Sequence, residues 1–183
     1  MENNPQTTEV NKGDSFWMNA LYAGVIVGIV LIIYNLILYM TDLIYKPIGF
    51  IGFLQFAILI LGIVWATINY RNQKLGGYIS YGKSLGYGVI ISVFSGIVVG
   101  LFMFILYEFI DPDLTSKSIK ALEEKLLNQG MDAEQVRVMA QAQEKFRTPI
   151  LTFVFTIIGF AFWGTILTLI SSAFTKKDKP IFQ

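Results

Sequence analysis

The sequence has no cysteine and no histidine. Those absences exclude disulfides, thiolate nucleophiles, zinc sites built on Cys or His, haem held by His, and the one side chain whose ordinary titration falls near neutral pH. Charge is scarce as well: 15% of the 183 residues are Asp, Glu, Lys or Arg, and the formal net charge is +1. No basic cluster interleaved with aromatics stands anywhere, so nucleic acid is not an expected partner, and no cofactor is implied. Apolar residues, by contrast, make up 54% of the chain, which excludes a disordered protein and argues against an ordinary water-soluble domain.

The apolar residues fall in long runs. A bilayer core needs about 20 mostly apolar helical residues. Runs at about 17–40, 48–68, 85–110 and 150–174 each reach that length with no Lys or Arg inside. They predict an all-α integral membrane fold of four transmembrane helices. Residues 1–15 are polar, mixed in charge and without apolar period, and read as a flexible tail. A secretory signal would need a basic start, a shorter apolar core and a small-residue cleavage site; the first run is too long and no such site follows it, so it stays as a helix. The outer turn between the first two spans holds Lys46 and Pro47, the latter suited to a first helical turn, with Tyr39 and Tyr45 at headgroup level.

Orientation is read from the stretch NYRNQKLGGYISYGKSLGYG between the second and third spans. It carries Arg71, Lys74 and Lys83 and no acidic residue. Short basic connections stay on the cytoplasmic side. Lys12, these three, and Lys176, Lys177 and Lys179 in the basic tail 175–183 make seven cations on one side, against seven in Lys46 and the segment 114–147 on the other. The numbers tie; density separates the faces, because the long segment dilutes its cations among acids. Both termini are expected in the cytoplasm, and 111–148 outside. The Gly76-Gly77 pair is no phosphate cradle, since no strand precedes it and the GxxxxGK[ST] spacing is absent.

Glycines at four-residue spacing mark close helix contacts, because small residues let backbones approach in a solvent as apolar as Leu. Gly24 with Gly28, Gly82 with Gly86 and Gly96 with Gly100 form such pairs, and the third span, with Ser92 and Ser95 added, is expected at the bundle centre. Asn19 and Asn35 are expected to face other helices; Asn35 beside Tyr34 and Tyr39 offers a polar pocket as the functional alternative. Gln55 is the strongly polar residue of the second span. A faint internal echo pairs Ile37-Leu38-Tyr39 with Ile105-Leu106-Tyr107, with chance the preferred explanation.

Beyond the third span, Glu108, Asp111 and Asp113 stand within six residues. Three carboxylates suit a divalent cation, but a solvated helix end broken by Pro112 is preferred, so no metal site is assigned. Residues 114–147 then predict two short amphipathic helices joined by a turn at Asn128 to Gly130. Asp132 with Gln135 resembles a capping box. Leu122, Leu126, Val136 and Met139 are the expected partner face of this hairpin, with self-packing or rest on the membrane surface as the plainer role. Thr148 and Pro149 suit an N-cap and first residue for the fourth span.

In order and spacing, GGYISYGKSLGYG, ILYEFIDPD, LEEKLLNQGMDAEQVRVMAQAQEKFRTP and the Lys-rich tail together resemble a bacterial membrane family, domain of unknown function 4199, seen mostly in Bacteroidota. The resemblance covers nearly the whole chain after residue 15 and implies a four-span protein of the inner membrane. It brings no assigned activity and no catalytic residues. Of the readings left, a non-enzymatic accessory or scaffold protein, whose outer hairpin contacts an envelope partner, is preferred over a small transporter or channel subunit for a neutral or lipid-like solute. Ion transport usually leaves ionisable residues inside the spans. Here they stand only at the ends, as Asp42, Glu108 and Asp111. An enzyme is disfavoured because its candidate base and nucleophile shrink to Glu108, Asp111 and Asp113 beside hydroxyls such as Tyr107 and Thr115. Membrane lipids and a second copy of the chain are the other expected contacts.

Overall fold

A computed structural model describes residues 10–44, 49–146 and 148–179, with side chains from residue 16 onward and none at 49. The expected features of residues 1–9, Tyr45, Lys46, Pro47 and Arg147, and the Lys12 side chain, lie outside that description. Six α-helices follow one another among the described residues: α1 Val10–Met40, α2 Gly49–Lys74, α3 Tyr81–Ile105, α4 Leu114–Asn128, α5 Ala133–Phe146 and α6 Pro149–Thr175. A π-helical turn, Leu106–Ile110, extends α3. Four stretches, Phe16–Met40, Phe50–Lys74, Tyr81–Ile110 and Pro149–Thr175, are long and apolar enough to cross a membrane.

Helix ends overrun the apolar runs. α1 starts at Val10, within the stretch read as a loose tail, and α2 continues past Ile68 to Lys74. An apolar run marks where hydrocarbon ends, whereas a nucleated helix propagates into water at little cost. Arg71 and Lys74 thereby lie in the last turn of α2, where the helix dipole favours cations. Gly76 and Gly77 stop it with positive φ angles of 64° and 88°, and the Gly77 N–H closes back on the Arg71 carbonyl at 2.9 Å. Pro149 opens α6 behind Thr148, whose hydroxyl accepts the Leu151 N–H at 3.4 Å.

α3 stands at the centre, packed most extensively on α6 and α1, while α2 rests more lightly on the other three. The contacts are made at glycine notches. A Cβ added to Gly24 would lie 2.6 Å from that of Phe94, one on Gly28 2.7 Å from that of Val98, and one on Gly96 2.7 Å from that of Phe160. Gly100 faces Phe153 in the same way. Gly82 and Gly86, expected in this role, meet nothing within 4 Å among the described residues. Three glycines outside the spaced pairs do meet neighbours: Gly62 takes Val27, Gly88 takes Thr168 and Ile63, and Gly164 takes Ser92.

Small hydroxyls fill the same seams. Ser95 Oγ donates to the Gly24 carbonyl across the α1–α3 seam at 2.9 Å, and Ser84 and Thr175 hydroxyls lie 2.7 Å apart between α3 and α6. Ser92 and Thr168 donate to carbonyls one turn back in their own helices. These four hydroxyls and Thr175 thus keep partners away from water, whereas the Ser172 hydroxyl, equally buried on α6, has none among the described residues. Asn35, 2% exposed, keeps a partner too, its Nδ2 donating to the Leu31 carbonyl at 2.7 Å. Tyr34 instead reaches across to the Ile51 carbonyl on α2 at 2.7 Å, so these two polar groups serve different contacts.

Candidate functional site

The two ends of the bundle differ. At one end the basic loop and the tail are stitched together: Ile79 and Lys177 exchange both backbone hydrogen bonds at 2.9 Å, and the Arg71 guanidinium donates to the Thr175 carbonyl at 2.9 Å. That bond satisfies a carbonyl left open by the end of α6. Lys177 lies 5.6 Å from the centre of the Tyr78 ring and Lys83 6.0 Å from that of Phe16. Phe16, Tyr70 and Tyr87 form an aromatic knot tying α1, α2 and α3, the two tyrosines stacked at 4.5 Å. Arg71, Lys74, Lys83 and Lys177, read from sequence as orientation signals, so cluster at one end of the bundle, with Lys176 exposed beside them.

The other end carries the hairpin of α4 and α5. Its root is firm. The π turn lets the Asp111 N–H reach the Leu106 carbonyl at 2.8 Å, and Leu106 and Leu114 are both 0% exposed. Lys117 Nζ then closes on Asp111 Oδ2 at 2.7 Å. The hydrogen bond to Asp111 raises the Lys117 pKa above its ordinary value; desolvation opposes it, and the charges of Asp111, Tyr39 and Asp113 each add a lesser push upward. Past the root, α4 and α5 pack on each other and only sparingly on the spans.

The turn between them uses Gly130 at φ +83°, and the Asp132 carboxylate caps α5 by accepting the Glu134 and Gln135 N–H groups at 3.0 and 3.4 Å. Val136 and Ala140 are buried inside the hairpin. The expected partner face therefore divides: Val136 holds the hairpin together, Leu122 and Leu126 are half-buried, and Met139 is exposed. Helical spacing placed Leu122 and Leu126 on the stripe of one helix and Val136 and Met139 on that of the next, but carried no sign of which part the companion helix would cover. Leu127, Val138 and Met139, exposed by 47%, 57% and 48%, are apolar side chains that the hairpin leaves open, as is Phe146 at the end of α5. A cleft of about 310 Å³ between the helices is lined by Lys120, Glu123, Arg137 and Glu144.

Among the described residues no three carboxylates come together as a metal site. Asp111 is engaged by Lys117, and Glu108 sits on the π turn.

This architecture defines a multi-pass helical membrane protein with an extramembrane hairpin. The chain belongs to the family described as "Protein of unknown function (DUF4199)", whose model matches residues 22–177. No curated protein and no solved structure matches it.

Proposed function

We propose that this chain is a non-enzymatic accessory protein of a bacterial inner membrane, with its termini in the cytoplasm and a periplasmic hairpin that grips an envelope protein. The observation that carries the reading is the contrast in the hairpin: anchored at Leu114 and at the Lys117–Asp111 pair, it then stands apart from the spans with Leu127, Val138 and Met139 uncovered. A rigid root with uncovered apolar side chains on the helices beyond it suits presentation of a surface. Met is enriched in interface cores, and charged residues are depleted there. The clustered cations at the opposite end support the orientation, since short basic connections remain cytoplasmic.

The test is affinity isolation from native membranes in mild detergent, through a tag on the C-terminal tail. A reproducible second protein is expected, and it is lost when Val138 and Met139 are both changed to Glu. These two are exposed, so the hairpin folds without them. A monomer or homo-oligomer with nothing attached, or a second protein retained by the double variant, overturns the reading.

A further inference from the structure

We propose that the groove between α1 and α2 holds one anionic phospholipid, with an acyl chain along its apolar half and the phosphate at Lys74. The site stands apart from the hairpin and does not depend on the accessory reading. Two cavities run end to end along this helix pair. The deeper, about 390 Å³, is lined by Ile26, Val27, Val30, Leu61, Gly62 and Trp65. The shallower, about 230 Å³, is lined by Asn19, Tyr22, Asn69, Gln73 and Lys74. Ile26 and Trp65 line both, so the two form one groove whose polarity changes along its length.

Three features select a lipid over a helix as occupant. The first is depth: from Asn19 to Val30 a helix rises ~16 Å at ~1.5 Å per residue, about half of a ~30 Å hydrocarbon core. Beyond Val30 the Tyr34 hydroxyl bonds the Ile51 carbonyl across the same two helices. A partner's spanning helix would need a seam through both leaflets. The second is polarity: amides and the Lys74 ammonium are confined to the end where headgroups lie, and the other end is wholly apolar. The third is charge. Lys74 lines the polar end and no carboxylate does. That complements a phosphate rather than an ammonium headgroup.

The structural cause is the light packing of α2. Gly62 admits Val27 at the floor of the apolar half, while Ile26, Leu61 and Trp65 remain exposed by 48%, 67% and 52% along the groove. An acyl chain laid between them covers apolar surface on both helices.

Native mass spectrometry of the full chain in mild detergent, with phosphatidylglycerol or phosphatidylcholine added, tests the assignment. One retained phosphatidylglycerol per chain is expected, in preference to phosphatidylcholine. Lys74→Gln should weaken retention about fivefold, the share of one juxtamembrane cation. Leu61→Trp, which fills the apolar half, should weaken it about tenfold or more. Both positions are exposed, so an unchanged melting temperature is expected for each, and Lys120→Gln on the hairpin should leave retention as it was. Equal retention of the two lipids, or retention indifferent to Leu61→Trp, overturns the proposal. So does a dimer that Leu61→Trp splits into monomers, which would put a second copy in the groove.

Discussion

α2 and α3 are nearly equal in length, 26 and 25 residues, and both are apolar enough to span a membrane, yet they sit in opposite situations. α3 buries Gly88, Ser92, Ser95, Gly96 and Gly100 against its neighbours, whereas α2 turns Phe50, Phe53, Leu61 and Trp65 outward. Apolarity puts a helix into the membrane. Small side chains decide where it sits once there, because lipid is as good a solvent for Leu or Phe as another helix is.

The sharpest way to break this contrast is to fill a notch on α3. Gly96→Leu drives a side chain into Phe160, and overpacking of this kind costs about 1–3 kcal/mol. Gly86→Leu on the same helix meets open space, so its effect should stay within about 0.5 kcal/mol. Thermal unfolding of both variants in one detergent compares them directly. Equal losses would mean that position on α3 matters less than glycine itself.

A smaller effect is expected from Ser95→Ala. It removes the hydroxyl that bonds the Gly24 carbonyl across the α1–α3 seam, and such bonds in membrane proteins average about 0.6 kcal/mol. The same measurement on Thr156→Ala, whose bond stays within α6, should give less still.

The smallest effect concerns the hairpin root, and it appears as a pH dependence. The pKa of Lys117 is raised in the folded chain, so its contribution is complete below the ordinary lysine value of 10.5 and fades as pH rises through the higher folded value. The distance between spin labels on α5 and α6 should therefore hold steady from neutral pH to about 10 and broaden above that range. Lys117→Met should broaden it at all pH values. A wild-type distance distribution that loosens below pH 9 would show that another group holds the root.

Much of this was legible in the sequence, for identifiable reasons. Four apolar runs and the Thr148-Pro149 start are local signals, and local signals survive into the fold. The bundle centre was legible too, from the density of Gly and Ser in α3. Rotation about each helix axis was not. Gly82 and Gly86 have the same spacing as Gly96 and Gly100, but only the second pair faces α6, and Gly164 and Gly62 become contact points through residues far along the chain. Val136 was misjudged on the same ground, since its cover comes from α4. The groove between α1 and α2 has no motif at all. It arises from how loosely two helices meet, and a spacing rule sees one helix at a time.

The bond from Arg71 to the Thr175 carbonyl joins residues 104 positions apart, and it has a consequence in time. At about 5–20 residues per second, a ribosome needs roughly 5–20 s to make that length of chain. Throughout that interval the turn after α2 is already in place without the strand partner and helix end that will lock it. The clasp between Ile79 and Lys177 forms only once that interval has passed.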